Sequence, residues 1–231
     1  MKKYELTAEF IEKWGKKLFR IKALISFGSV EAGELGGYVE KEDNLAQDGD
    51  AWVYGDARVY GNTRVYGDAR VYGNARVYGD ARVYGNARVY GDARVYGNAR
   101  VCGDARVYGN AEVYGDARVY GNARVCDDAW VYGNAWVCGN AWVCGNADYL
   151  LIGRIGSRFS FTTFFKNKDK GITVSCGCFL GTIAEFRAKV TDTHGNNKHA
   201  KMYNLAADMA ELQILGEEHF DKLNTNKSEP F

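Results

Sequence analysis

Hydrophobic and polar positions repeat with a strict period of six through the middle of the chain. Sixteen consecutive hexads run from Ala51 to Asn146, with the consensus Ala-Arg-Val-Tyr-Gly-Asp/Asn. The small residue and the valine stand two apart, which is the alternation of a short strand and not the period of a helix. Gly and Asp/Asn accept positive φ and favour a corner. The pattern predicts short strands with Ala and Val inside and Arg and Tyr outside.

A chain that turns every six residues closes after three sides, so residues eighteen apart are expected to stack. Val39 and Leu45 fall in phase with Ala51, and we expect two degenerate hexads before the clear ones. Residues 39–146 would then form about six coils, roughly 29 Å tall at ~4.8 Å per coil.

The sixth position of the hexad alternates between Asn and Asp. One column of residues eighteen apart reads Asn62, Asp80, Asn98, Asp116 and Asn134, and no Asp in any column stacks on another Asp. Two carboxylates ~4.8 Å apart would repel by about 1–3 kcal/mol, and an intervening Asn can donate to both. We expect a side-chain ladder at each corner. Duplication of a twelve-residue unit is an alternative origin of the alternation.

The outer faces carry columns of Arg beside columns of Tyr. Residues 51–146 contain 11 Arg against 8 Asp and 1 Glu, a net charge of +2. We expect guanidinium groups to lie over tyrosine rings, and a nucleic-acid groove is not expected from so small a charge. Flat tyrosine-rich faces favour self-association.

Tryptophan replaces the arginine at both ends of the repeat, as Trp52 at the start and as Trp130, Trp136 and Trp142 in the last three hexads. This placement predicts an aromatic collar on which a cap domain docks. Stacking of a ligand on the last three tryptophans is the alternative.

Different sequence flanks the repeat on each side. Residues 1–38 predict an N-terminal cap with a strand at 17–26. Residues 147–231 predict a small α+β domain, with a hairpin of strands 158–165 and 172–176 followed by two helices. Thr182 and Glu185 form a capping box for the first helix. The apolar face of the second helix, at about 199–215, is assigned to Met202, Leu205, Met209 and Leu212.

The C-terminal flank also carries a polar set that suits an anion. Its Gly-Ser-Arg turn offers backbone N–H groups, a hydroxyl and a guanidinium. The alternative is that these side chains satisfy the backbone of their own hairpin. Together with the tryptophans, the candidate ligand-binding residues are Ser157, Arg158, Thr162, Thr163, Cys178, His194, Trp130, Trp136 and Trp142.

Cysteine and histidine usage favours neither a metal site nor catalysis. Cys126 and Cys144 are eighteen apart and within disulfide reach, and we expect free thiols in a reduced compartment. The repeat holds no histidine that could complete a metal site or act as a base; His194, His199 and His219 lie beyond it. We expect no metal, no cofactor and no enzymatic activity.

Net charge and hydropathy favour neither a nucleic-acid partner nor a membrane. The formal net charge is +1, and no apolar run approaches the ~20 residues of a membrane span. The N-terminus lacks the apolar segment of a signal peptide, so a cytoplasmic location is expected.

The repeat resembles the hexapeptide-repeat left-handed β-helix family. The segments KKYELT (2–7), GELGGYVE (33–40), IGSRFSFTTFF (155–165) and CGCFLGTIAEF (176–186) are similar to hexapeptide-repeat or polymer-forming proteins encoded by phages and prophages. The resemblance implies a left-handed parallel β-helix, often trimeric, with about six eighteen-residue coils.

The function expected from these observations is non-catalytic binding. The β-helix would serve as the rigid body of a homo-oligomer, and the C-terminal domain would sequester a small anionic, nucleotide-like host signal. A self-assembling scaffold and a hexapeptide-repeat acyltransferase are the alternatives.

Overall fold

The computed structural model describes residues 1–217, and His219 lies outside them. Three strands precede the repeat: β1 (Tyr4–Lys13), β2 (Lys16–Ala23) and β3 (Leu35–Val39). The sequence predicted β2 but not β1.

Each hexad of the repeat contributes one strand of two residues. These strands are β4 (Trp52–Val53), β5 (Arg58–Val59), β6 (Arg64–Val65), β7 (Arg70–Val71), β8 (Arg76–Val77), β9 (Arg82–Val83), β10 (Arg88–Val89), β11 (Arg94–Val95), β12 (Arg100–Val101), β13 (Arg106–Val107), β14 (Glu112–Val113), β15 (Arg118–Val119), β16 (Arg124–Val125), β17 (Trp130–Val131), β18 (Trp136–Val137) and β19 (Trp142–Val143).

The two-residue strands pair in parallel within three sheets, the first of which also contains β1, β2 and β3, with the β1–β2 and β2–β3 pairs antiparallel. Their orders are β1-β2-β3-β5-β8-β11-β14-β17, β19-β16-β13-β10-β7-β4 and β18-β15-β12-β9-β6. Neighbouring strands pair residues eighteen apart, as Val89 pairs with Val107. Each coil therefore supplies one strand to every sheet, and the predicted solenoid of about six stacked coils is confirmed.

The interior of the solenoid is a single stack of Ala and Val. The inward Ala and Val side chains of the repeat are buried in one continuous core. The corner glycines have positive φ, and at Gly91 (φ 72°) an added Cβ would lie 3.1 Å from the backbone nitrogen of Gly109. A side chain at this corner would therefore press on the next coil as well as strain its own backbone.

The tyrosines of the outer faces stack on each other. The rings of Tyr72 and Tyr90 are 4.8 Å apart and inclined by 2°. The expected pairing of arginine with tyrosine within the repeat is wrong: the cation–π contacts of arginines in the described part of the repeat are with tryptophans, such as Arg118 over Trp136, and Arg94 pairs with Glu112. Neighbouring coils are separated by one strand spacing, about 4.8 Å, which lies within the ~4.5–7 Å between the centroids of packed aromatic rings. The tyrosines therefore pack on each other and not under the arginines.

The structure contains the predicted contacts between Asn and Asp, but each bonded asparagine donates to one neighbouring carboxylate rather than to both. Asn62 donates to Asp80, and Asn98 donates to Asp116, over 3.1 and 3.2 Å. The other two columns contain the equivalent bonds from Asn86 to Asp104 and from Asn110 to Asp128. The alternation therefore supplies a donor between carboxylates that would otherwise face each other.

The first coil is two residues longer than the others. Val39 pairs with Val59, and Leu45 bridges to Val65, so both partners are twenty residues away. Val39 and Leu45 thus occupy the valine position of the hexad. The prediction that they share the alanine position with Ala51 is wrong. Because Gly49 already lies against Gly67, the extra residues lie between Leu45 and Gly49.

The N-terminal strands close the first coil. Trp52 is fully buried, with its ring against Tyr4 and Phe27. Lys3 is also buried, and its Nζ donates to the carbonyls of Asp48, Gly49 and Ala51. The long corner is therefore held by a cation from the cap.

The C-terminal domain consists of one antiparallel sheet and two helices. The strands are β20 (Tyr149–Ile155), β21 (Ser160–Lys166), β22 (Ile172–Cys176) and β23 (Phe179–Thr182), in the order β20-β21-β22-β23. The helices are α1 (Ile183–His194) and α2 (Lys198–Leu215). The predicted hairpin corresponds to β21 and β22, and the capping box is confirmed, with Thr182 N donating to Glu185 over 2.7 Å.

This sheet lies between the solenoid and the helices. Phe165 on one face joins the solenoid core, whereas Phe164 and Val174 on the other face pack with α1 and α2. The predicted apolar face of α2 is wrong, because Leu205 and Met209 are exposed and the helix buries Ala206, Ala207 and Ala210 instead. No helix within residues 1–217 is long and apolar enough to cross a membrane.

Candidate functional site

The last coil carries one tryptophan on each of its three faces. Trp130, Trp136 and Trp142 belong to three different sheets, and each lines a cavity beneath the C-terminal domain. The three cavities measure about 420, 320 and 210 Å³ in that order. The predicted collar is therefore present, but its members face three separate spaces.

The cavity at Trp136, named here the Trp136 cavity, has walls from both domains. It measures about 320 Å³. Its lining residues are Asp116, Arg118, Asn134, Trp136, Ser160, Phe161, Thr163, Ser175 and Gly177. A larger cavity of about 510 Å³, between Glu42 and Arg82, lies at the other end of the solenoid. Cavities between domains with a few convergent polar groups are the usual place for a ligand, which favours the Trp136 cavity.

Arginine and tryptophan form the floor of the Trp136 cavity. The Arg118 guanidinium lies 4.8 Å from the ring centroid of Trp136. The backbone N–H of Trp136 donates to the buried Thr163 hydroxyl over 3.0 Å, which ties this strand to β21. The guanidinium thus lies over the indole, a pair whose chemistry suits a phosphate and a flat heterocycle.

A carboxylate completes the polar lining. Asp116 Oδ1 accepts from Asn98 Nδ2 over 3.2 Å, which orients the carboxyl group at the corner. Ser160 and Ser175 add hydroxyls from the C-terminal sheet. The cavity therefore combines a cation, an anion, hydroxyls and an aromatic ring.

A second group of titratable side chains lies on the helix side of the sheet; we call it the Tyr203 cluster. The His194 ring lies 5.8 Å from the rings of both His199 and Tyr203. Thr162 donates to the Cys176 sulfur over 3.2 Å. Among the described residues, the buried Nδ1 of His199 has no hydrogen-bond partner.

Burial raises the pKa of the Tyr203 hydroxyl, and the neighbouring Cys176 raises it further, while Arg158 opposes the shift. The phenol therefore stays protonated at neutral pH. Gly156 lies directly against the Tyr203 ring, so a side chain there would displace it. The cluster is a closely packed group around the Tyr203 ring.

The structure divides the predicted site residues among several places. Thr163 faces the solenoid beside Trp136, whereas Thr162 faces the helices, because neighbouring residues of a strand point to opposite sides. Ser157, Arg158 and Cys178 are exposed in the turns at one end of the sheet, and His194 belongs to the Tyr203 cluster. Trp130 and Trp142 lie on other faces of the solenoid.

Sequence reasoning missed Asp116, Arg118 and Ser175 in the Trp136 cavity and Tyr203 in the second cluster. Asp116 and Arg118 are repeat residues, and only their contact with the C-terminal sheet distinguishes them from their equivalents. Tyr203 had a signal, since it stands four residues after His199 on one helix face.

The cysteine pair differs from the prediction of free thiols. The structure joins Cys126 and Cys144 as a disulfide across adjacent coils, with the Cα atoms 4.4 Å apart. Cys102, Cys138, Cys176 and Cys178 are free thiols. Burial raises the pKa of Cys138, although hydrogen bonds with Tyr120 and Ser175 oppose the shift.

Comparison with known proteins supports the repeat and bears on function. The family model described as YdcK Beta solenoid repeat matches overlapping segments between residues 51 and 139. An Escherichia coli (strain K12) protein named uncharacterized acetyltransferase YdcK is 38% identical over 80 residues, which cover 28% of this chain and 24% of the relative. The chain thus spans about a quarter of the length of the curated relative it matches.

The expectation of a non-catalytic binding protein that sequesters a host signal is wrong on this comparison. The relative is named an acetyltransferase, which agrees with the acyltransferase alternative. The stacked hexads, their register of eighteen residues and the matched repeat together support a hexapeptide-type β-helix.

Proposed function

We propose that this chain is an acyltransferase that moves an acyl group from a coenzyme A thioester to a primary amine in the Trp136 cavity. The observation that carries the proposal is that Arg118, Trp136 and Asp116 line one cavity at the junction of the solenoid with the C-terminal domain. The reaction class is supported by the name of the relative that shares the repeat.

Arg118 and Trp136 supply a site for the donor. Coenzyme A carries phosphates and an adenine ring, so it needs a cation and a flat apolar surface. A guanidinium makes charge-assisted hydrogen bonds to phosphate, and an indole stacks on a base. The hydroxyls of Ser160 and Ser175 can orient the rest of the donor across the cavity.

Asp116 supplies the site for the acceptor. A carboxylate attracts an ammonium group, and solvent takes the first proton to give the neutral amine. The nitrogen then attacks the thioester carbonyl, the C–N bond forms, and the C–S bond breaks. Asp116 takes the second proton from nitrogen, and the leaving thiolate accepts a proton to become the free thiol. An amine is the acceptor that fits, because a carboxylate is too weak a base for a hydroxyl.

The test is an assay of the full chain with acetyl-coenzyme A and a panel of primary amines, with free coenzyme A and acetylated amine measured by chromatography and mass spectrometry. We expect Asp116→Asn to lower kcat/KM by about 100-fold or more, the usual cost of losing a general base. Arg118→Ala should raise the KM for acetyl-coenzyme A by about 10-fold or more, which is the effect of losing one charge-assisted contact.

The repeat offers matched controls for both substitutions. Asp80 accepts from Asn62 as Asp116 accepts from Asn98, and Arg100 stands directly beneath Arg118 in the same sheet. Asp80→Asn and Arg100→Ala make the same chemical change outside the cavity and should leave the rate unchanged. No acetylated product with any amine, or equal losses in cavity and control variants, would overturn the proposal.

Phage or prophage origin, a cytoplasmic location and a homotrimer remain predictions from the sequence. A trimer has a specific consequence for the proposed site, since a neighbouring solenoid could form a further wall of each Trp136 cavity. Native mass spectrometry of the full chain gives the oligomeric state directly.

A further inference from the structure

The hexad of residues 123–128 departs from the consensus at its corner. Asp127 is the single non-glycine residue at the fifth position of the sixteen hexads. In the same hexad Cys126 replaces the consensus tyrosine, and Cys144 replaces the tyrosine that would stack on it. Three substitutions thus coincide in space, where the rest of this column is a ladder of tyrosine rings.

Asp127 has the backbone conformation of the glycine that it replaces. Its φ is 52°, whereas the glycines of the other corners with positive φ lie between 57° and 80° along the repeat from Gly55 to Gly139. Aspartate tolerates this region better than most residues but less readily than glycine, so its side chain carries a small backbone cost that glycine would not. Nothing in the packing of the solenoid requires that side chain, because the other corners form without one.

The side chains of these residues converge. The sulfur atoms of Cys126 and Cys144 and a carboxylate oxygen of Asp127 all lie within 4.8 Å of one another. Within residues 1–217 this is the one group of three such donor atoms. Cys126 is buried, Cys144 is half-buried and Asp127 is exposed, so the group is open on one side.

We propose that the reduced chain binds a zinc-class divalent cation through Cys126, Cys144 and Asp127. Zinc bonds of about 2.3 Å to sulfur and about 2.0–2.2 Å to oxygen place tetrahedral ligands roughly 3.5–3.8 Å apart. The donor atoms lie within reach of that spacing, and the Cα separation of 4.4 Å allows the two sulfurs to face one cation. The open side leaves the fourth position to water.

Cation binding at this site competes with the disulfide. Each thiol releases its proton to solvent when its sulfur becomes a ligand, so two thiolates and a carboxylate face a charge of +2. In the disulfide both sulfur atoms are neutral, so neither can bind the cation as a thiolate. The same two sulfurs therefore define an oxidised, metal-free state and a reduced, metal-binding state.

The experiment uses the full chain, reduced with a phosphine and freed of metal, and titrated with Co²⁺ followed by Zn²⁺. Thiolate ligands give Co²⁺ an intense near-ultraviolet charge-transfer band, and zinc displaces it. We expect one Co²⁺ per chain with that band in the wild type. Cys126→Ser and Cys144→Ser should each abolish the band, and Asp127→Gly, which restores the consensus corner, should weaken affinity about 10-fold or more.

Cys102→Ser is the matched control. Cys102 replaces a tyrosine in the same way, but its stacked neighbours eighteen residues away are Tyr84 and Tyr120. This variant should keep the band and the stoichiometry. The proposal is overturned if the wild type gives no thiolate band while its circular dichroism shows a folded solenoid, or if Cys144→Ser binds Co²⁺ as the wild type does.

Discussion

Asn98 Nδ2 donates to Asp116 Oδ1 across the gap between two coils, over 3.2 Å. Asp80 lies one coil away on the other side of Asn98 in the same column. Asn98 therefore separates two carboxylates while it bonds to one of them. We expect Asn98→Asp to place three carboxylates in a row and to destabilise the solenoid by about 1–3 kcal/mol.

Urea unfolding at low and high salt measures this effect. Asn98→Ala is the control, because it removes the hydrogen bond without adding a charge. The difference between the two variants should shrink as salt screens the carboxylates. Equal stabilities for both variants at low salt would show that the alternation carries no electrostatic benefit.

Replacing Asp127 with glycine should stabilise the metal-free protein. The left-handed conformation costs most residues about 1–2 kcal/mol and an aspartate less, and the greater flexibility of unfolded glycine returns part of that, so a gain of roughly 0.5 kcal/mol is expected. Thermal unfolding in a chelator tests it. The reciprocal change Gly91→Asp should lower stability at an ordinary corner, and a loss of stability in Asp127→Gly would contradict the strain argument.

The tyrosine ladders should make stability fall at high pH. Burial, with the neighbouring Tyr78, raises the pKa of Tyr60 to about 12. A hydrogen bond with Cys102, followed by burial, raises the pKa of Tyr84 to about 12. Unfolded tyrosine titrates near pH 10, so the folded state holds these protons more tightly. Its advantage is complete below pH ~10 and is lost as the pH rises from about 10 to about 12.

Ultraviolet titration of tyrosinate checks this pH dependence, with the chain unfolded in guanidinium as the reference. We expect part of the folded chain's absorbance change to appear only above the reference midpoint, together with a falling melting temperature. Superimposable titration curves for folded and unfolded chains would rule the effect out.

Lys3 should be the most sensitive cation of the N-terminal cap. Burial lowers the pKa of its ammonium group, although Asp48, Asp50 and Asp68 oppose the shift. Lys3→Met leaves the carbonyls of Asp48, Gly49 and Ala51 without this donor, and we expect a loss of about 2–3 kcal/mol. Hydrogen exchange in β1–β3 locates the loss. Lys22→Met changes an exposed lysine of β2 and should leave exchange unaltered.

The sequence predicted the features that repeat from coil to coil along the solenoid. Alternation within the hexad fixes which side chains point inward, and a period of eighteen fixes which corners stack, so the Asn98–Asp116 ladder followed without coordinates. It did not predict the phase of Val39 and Leu45, because two extra residues at the first long corner break the period.

The candidate site was harder to predict because it depends on contacts between distant segments. Arg118 and Arg100 occupy the same position in their hexads. Only Arg118 lines a cavity, because Ser175 and Thr163 of the C-terminal sheet lie opposite it. In α2 the large apolar residues suggested the buried face, but close packing on the sheet selected the alanines. Residue size and hydrophobicity cannot show which face lies nearest to a neighbour.

The strict register of the coils turns the repeat into an adjustable spacer. Inserting eighteen residues, for example a second copy of Ala75–Asp92, would move the C-terminal domain outward by one ring spacing, 4.8 Å between Tyr72 and Tyr90, and keep it over the same faces. Inserting six residues would instead rotate the domain by a third of a turn and carry the Trp136 cavity to another side. The number of complete coils, three hexads each, thus sets the distance to the C-terminal domain. The number of additional single hexads sets the side of the solenoid that the domain faces.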